Sequence, residues 1–161
     1  MIAPLQYRGL TRDYLQQLKY SEALHLSKTL CRQCFDPFRL SAPKPEVLLP
    51  VPLHRERLRE RGYNQADEIA SLWSREFGIP IERQALTRLR ATPSQSGLSA
   101  TQRTQNMRRA FAWRAGHDYR HVAIVDDIVT TGSTVGEITR TLHRAGVEYV
   151  EVWAIARVYH R

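Results

Sequence analysis

Val122, Ala123, Ile124 and Val125 form a short, unbroken apolar run that stops at two adjacent acids, Asp126 and Asp127. A run this short, β-branched and without polar alternation predicts a strand buried on both faces, which restricts the fold to a parallel sheet covered by helices on each side. Thr130, Thr131, Gly132, Ser133 and Thr134 follow as a small polar turn, after which Val135, Ile138, Thr139 and Leu142 recur at helical spacing. The unit is strand, polar loop, helix, with the strand expected to end at Asp126.

In an open parallel sheet, ligands bind beyond the carboxyl ends of the strands, where this loop falls. The first N–H groups of the following helix lack intrahelical partners and sit at its positive dipole end, an arrangement that suits a phosphate monoester. Two ionised carboxylates would repel that phosphate, so their own partner should be neutral or cationic. A ribose diol fits, because a carboxylate accepts hydroxyl donors. The expected ligand is a ribose 5-phosphate unit, its sugar on Asp126 and Asp127 and its phosphate on residues 130–134. The competing reading is structural: acids that end a strand, then Ser133 or Thr134 as an ordinary helix N-cap. Neither Gly-x-x-x-x-Gly-Lys-Ser/Thr nor Gly-x-Gly-x-x-Gly occurs in the chain.

With 161 residues, 42% hydrophobic and 25% charged, the chain suits a single globular domain. No apolar run approaches the roughly 20 residues that span a bilayer, and the start Met1-Ile2-Ala3-Pro4-Leu5-Gln6 lacks the pattern of a secretion signal, so a cytoplasmic location is expected. The net charge of +8 fits phosphate-bearing ligands and nucleic acid alike.

Residues 1–8 read as an edge strand or extended arm. A helix is expected from Thr11, its N-cap, with Tyr14, Leu15 and Leu18 on one face, and a second from Ser21 with Ala23, Leu26, Leu30 and Cys34. Cys31 and Cys34 are the two cysteines. They lack the further ligands of a structural zinc site and share a helical face, which favours buried packing over metal or redox chemistry. A Pro-rich connector at 35–45 leads to a core strand, Val47 to Val51, ending at Pro52. The basic stretch His54, Arg55, Arg57, Arg59, Arg61 is expected to be a loop entering a helix over 64–77. Ile79 to Ile81 and 85–90 supply further strand. The polar stretch 91–99 and a short helix over 101–109 precede strand-like 110–113, and irregular segments of this kind are more often binding loops or lids than neutral connectors. Gly146 should end the helix after the acid pair, and 147–158 reads as the last core strand.

Residues 122–134 resemble the thirteen-residue phosphoribosyl pyrophosphate (PRPP) motif of type I phosphoribosyltransferases: four apolar residues, two acids, then small Thr/Gly/Ser residues. The resemblance implies an α/β fold with a mainly parallel sheet flanked by helices, a flexible lid loop, and Mg2+-dependent PRPP binding. It further implies attack by a nitrogen nucleophile at the anomeric carbon with loss of pyrophosphate. Asp126 and Asp127 would be the catalytic pair, and Thr130, Thr131, Gly132, Ser133 and Thr134 the 5-phosphate site. Mg2+ would be held through the ligand with no direct protein metal site. Beside such a site the arginines become a pyrophosphate clamp rather than a solvated face, with Arg55, Arg59 and Arg61 as candidates and Asn64 and Gln65 nearby.

Val51-Pro52-Leu53-His54, then Arg57 through Arg61 with Gly62-Tyr63-Asn64-Gln65-Ala66, extend the match. So do Gln95, Ser96, Gly97, Leu98 and Ser99 with Arg103 and Asn106. Together they resemble the competence protein F (ComF) family, including its GntX-type members. Gln95, Ser96, Gly97, Leu98, Arg103 and Asn106 are then the candidate lid. Family members are associated with uptake of single-stranded DNA in natural competence, so single-stranded DNA and competence-machinery proteins are expected partners beside PRPP. Many begin with a cysteine-rich zinc module, and this sequence begins where that module would have ended. The expected organisation is one domain over 1–161, with a helical arm over 1–45 and a PRPP-binding core over 46–161. The competing function is a non-catalytic single-stranded DNA-handling protein that keeps PRPP as a regulator, with Tyr63, Trp73 and Trp113 either stacking bases or packing in the core.

Overall fold

A computed structural model describes residues 1–17, 24–34, 36, 43–90, 107–114, 116 and 118–159. In chain order its elements are β1 (Leu5–Gln6), α1 (Gly9–Gln17), α2 (Leu24–Gln33), β2 (Val47–Pro50), α3 (Arg55–Arg61) and α4 (Gln65–Phe77). They continue with β3 (Leu86–Arg88), β4 (Phe111–Trp113), β5 (His121–Val129), α5 (Ser133–Arg144) and β6 (Tyr149–Arg157).

The apolar runs form the predicted sheet. Four strands lie in the order β1-β6-β5-β2, and every described pairing between them is parallel. Val122 to Val125 and Val47 to Leu49 are all fully buried, and their side chains alternate between two separate cores. Leu48, Ala123 and Val125 join Trp73, Ile69 and Trp153 under α4 and α2. Val47, Leu49, Val122 and Ile124 join Val135, Ile138 and Leu142 under α5. Each Val, Leu or Ile so placed contributes about 1.5–3 kcal/mol of hydrophobic stabilisation. Trp153 anchors the first core, meeting Trp73 edge-on at 6.1 Å and Phe77 at 5.6 Å. Trp73 is therefore a core residue with no exposed ring for base stacking.

The short β1 takes the edge beside β6, as expected of an N-terminal arm. Leu86 to Arg88 and Phe111 to Trp113 do not join the main sheet; they pair with each other as an antiparallel ribbon packed on the α5 side. Ile81 bridges to Leu48 of the sheet, through hydrogen bonds that Leu48 makes with Pro80 O and Glu82 N–H.

Three boundaries differ from expectation. α1 starts at Gly9, not at a Thr11 cap, because Gly9 adopts a positive φ of 52° and turns the chain directly into the helix. The basic stretch is helical rather than a loop. Its Arg and Glu residues are good helix formers, the His54 ring accepts the Glu56 N–H, and Gly62 closes the end at φ 75°. β5 runs through both acids to Val129 because β6 continues to pair with it there. The expected helix over 101–109 falls largely outside the described residues.

Cys31 and Cys34 are fully buried in the first core. Burial raises both thiols, that of Cys34 to about 12. Among the described residues no helix is long and apolar enough to cross a membrane.

Candidate functional site

β2 pairs with β5 only as far as Pro50 opposite Val125, while β6 follows β5 to Val129. The acids occupy this unmatched length of β5, flanked by a strand on one side only. Strand alternation directs Asp126 to the side of Ile124 and Asp127 to the side of Val125. Their surroundings differ accordingly. Asp126 feels the charge of Arg88 on the ribbon, whereas Asp127 acts on the Tyr63 hydroxyl at the start of α4.

The acids also hold the main chain between them. Asp127 N–H donates to Asp126 Oδ1 at 2.9 Å, and Ile128 N–H donates to Asp127 Oδ1 at 2.8 Å. Past them the alternation is offset, with Ile128 packing beside Val125 and Val129 beside Ile124. Burial is the largest influence on the Asp126 carboxyl and raises it well above the usual carboxylate range. The charge of Asp127 raises it further, and Arg88 draws it back.

The turn after β5 is tighter than the sequence suggested. Helix α5 begins at Ser133, and its N-cap is Gly132 at φ 76°, with no side-chain hydrogen bond to cap it. This excludes Ser133 or Thr134 as an ordinary N-cap. Thr131 Oγ1 and Ser133 Oγ lie 2.9 Å apart, and the first backbone bond of the helix is Gly136 N–H to Gly132 O at 2.8 Å. The N–H groups ahead of it lack intrahelical acceptors. Residues 128–135 and Asp126 line a small pocket around this terminus.

A wider cleft of about 840 Å3 opens beyond β2, lined by His54, Arg55, Tyr63, Asn64, Arg83 and Arg88 among others. Asn64 commits both ends of its amide: Oδ1 caps α4 through Ala66 N–H at 3.1 Å, and Nδ2 donates to Val51 O at 3.0 Å. Gln65 is 4% exposed, and its Nε2 has no acceptor among the described residues.

Helix α3 sorts the arginines. Residues four apart share a face, so Arg55 and Arg59, both exposed, stand together, as do the partly buried Arg57 and Arg61. Arg57 and Arg88 bear on each other: burial lowers the Arg88 guanidinium, the charge of Arg57 lowers it further, and Asp126 opposes both. Partial burial raises the half-buried Tyr63 hydroxyl; Arg61 draws it down, while Glu68 and Asp127 push it up. Arg57 and Arg88 are the two residues that sequence reasoning did not select. For Arg88 a signal was present, since two-residue periodicity puts it on the same strand face as the buried Leu86. Its guanidinium stands 5.6 Å over the Phe111 ring. The lid candidates Gln95, Ser96, Gly97, Leu98, Arg103 and Asn106 lie outside the described residues.

A parallel sheet with helices on both sides and an acid pair followed by an open helix N-terminus define a type I phosphoribosyltransferase-like fold, and solved structures agree. Glutamine PRPP amidotransferase from B. subtilis superposes with a TM-score of 0.55 over 88% of this chain and 30% of that one, at 21% identity. A structure described as the allosteric regulatory enzyme of purine biosynthesis gives 0.51 over the same shares, at 22% identity.

No protein-family model matches the chain, but individual relatives do. Competence protein F of Haemophilus influenzae is 40% identical over 151 residues, covering 89% of this chain and 66% of the relative. The DNA utilization protein YhgH of Escherichia coli K12 is 38% identical over 162 residues, covering 98% of this chain and 71% of the relative. The chain belongs to this ComF family and spans about two thirds of the length of these relatives.

Proposed function

We propose that this domain binds PRPP and transfers its phosphoribosyl group to a nitrogen nucleophile, releasing pyrophosphate, in the setting of competence and DNA utilization for which its relatives are named. The observation that carries this reading is the N-terminus of α5, entered through Gly132 directly behind the acid pair. Its first N–H groups, which have no intrahelical acceptor, and the Thr131 and Ser133 hydroxyls would bind the 5-phosphate. Asp126 and Asp127 would accept the ribose hydroxyls and stabilise positive charge as the bond from the anomeric carbon to pyrophosphate oxygen breaks. That electron pair leaves with pyrophosphate; the nucleophile's lone pair forms the new C–N bond, and its proton passes to solvent. Arg55 and Arg88 line the wider cleft and would hold the pyrophosphate, with Arg59 beside Arg55 on the exposed face of α3 and Arg57 and Arg61 on its partly buried face adding positive charge. Mg2+ bound through PRPP oxygens and water would supply charge neutralisation for the departing pyrophosphate. We place the protein in the cytoplasm.

Calorimetry with PRPP and Mg2+ tests the site. Binding that disappears in the Asp126→Ala, Asp127→Ala double variant supports it, and undiminished binding in that variant rules the assignment out. Pyrophosphate release screened against amines and nucleobases then identifies the acceptor.

The net charge of +8 and the exposed Arg55 and Arg59 favour a second reading: a single-stranded DNA-handling protein regulated by PRPP. Salt-dependent DNA binding that survives the double substitution, with no pyrophosphate release under any acceptor, would select it.

A further inference from the structure

Glu137 lies one helical turn beyond Ser133 in α5 and is 3% exposed. A carboxylate so buried is tolerated only when its oxygens are matched. Oε1 accepts the main-chain N–H of Arg109 at 2.8 Å, while Oε2 accepts from Arg140 through Nε at 3.1 Å and Nη2 at 2.8 Å. Burial alone would raise this carboxyl, yet the Arg140 hydrogen bonds, the Arg109 N–H and the charges of Arg140 and Arg144 outweigh it and hold the group below its ordinary value. Arg109 is the one non-glycine residue with positive φ among those described, at 54°. That is an uncommon conformation for a side chain of this size.

Arg109 leads directly into β4. Phe111 of β4 pairs with Arg88 of β3 and stacks beneath its guanidinium. Leu89 N–H also donates to Ala110 O at 2.8 Å. The ribbon carrying Arg88 shares no described pairing with the main sheet. Glu137 thus ties it by hydrogen bond to the helix whose N-terminus forms the phosphate turn.

We infer that Glu137 is a positioning residue: by gripping Arg109 it fixes the ribbon, and with it Arg88, relative to Asp126 and the 130–134 turn, so that one PRPP molecule meets both. The inference rests on the PRPP reading above.

A double-mutant cycle on the full chain tests it, with Mg2+-PRPP as ligand. Glu137→Gln keeps one acceptor oxygen but loses the charge, and Arg88→Met removes the guanidinium. Each should weaken binding about tenfold, and the double variant should be little worse than either, because the two act through one contact. Losses that multiply would overturn the positioning role, as would wild-type affinity in Glu137→Gln. A wild-type chain that binds no PRPP overturns the site and the inference together. Titration of the Asp126 carboxyl by NMR in ligand-free protein separates the two failures. Glu137→Gln should raise it, as Arg88→Met does, because Arg88 no longer stands beside it; an unmoved titration would leave Glu137 a packing residue. If Glu137→Gln does not fold, Glu137→Asp keeps the charge, shortens the reach and reports the same coupling.

Discussion

Asp126 Oδ1 accepts the main-chain N–H of Asp127 at 2.9 Å, so two neighbouring carboxylates are held in register in a half-buried strand end where their charges oppose each other. The raised Asp126 carboxyl fixes the sign of its linkage to folding. Its contribution is complete below the ordinary aspartate value and is lost as pH rises through the raised folded value. Above the ordinary aspartate value Asp126 therefore opposes folding, increasingly as pH rises toward its raised folded value. Asp126→Asn should raise stability near pH 7 by about 1 kcal/mol while abolishing PRPP binding, an exchange of function for stability. Urea unfolding at pH 5 and pH 8 checks it: the gain should be larger at the higher pH.

Gly132 holds the turn at φ 76°, and a Cβ built there meets no atom within 4 Å. The cost of Gly132→Ala is therefore conformational, about 1–2 kcal/mol. Thermal melts should show that loss, and PRPP affinity should fall by more than the melt implies, since the displaced N–H groups are the proposed phosphate donors.

Asn64 separates its two jobs by chemistry. Asn64→Ala removes the cap of α4 and the link to Val51, and should destabilise by about 1–2 kcal/mol. Asn64→Asp keeps the acceptor for Ala66 N–H but loses the Nδ2 donor to Val51 O. It should lose less in a denaturant melt, and the difference between the two variants measures the cap.

Cys34 and Cys31 should resist a thiol reagent at neutral pH in the folded protein and react at once in denaturant, because both are buried and protonated. The Cys34 contribution to stability is complete below its ordinary value of 9.0 and is lost as pH rises toward about 12. Alkaline unfolding should accordingly shift to higher pH in Cys34→Ala if the thiolate drives it.

Much of this was legible in the residues. Val122 to Val125 announced a doubly buried strand because no polar residue interrupts it, and Gly146, at φ 96°, stops α5 where its position after a helical run predicts. Helix α3 was not legible, since it buries none of its residues and so leaves no apolar period; its caps were the available signal. The reach of β5 past its acids depends on β6, where Ala154 pairs with Asp126, and no local pattern encodes such a pairing. The roles of Arg57 and Arg88 arise where α3 and the ribbon converge, and their spacing in sequence gives no hint that they meet.

The early end of β2 divides the ligand-facing surface by ancestry of support. Val51 N–H to Val125 O, at 2.9 Å, is the last backbone bond on that side among the described residues. Beyond it the acid pair is borne by β6 alone, while the cleft is framed by whatever follows β2. Residues 52–63 can therefore be lengthened, shortened or exchanged between relatives without disturbing a rung beneath the acids, provided Asn64 keeps its bond to Val51 O. A grafted segment there should retune what approaches the sugar and leave its grip intact.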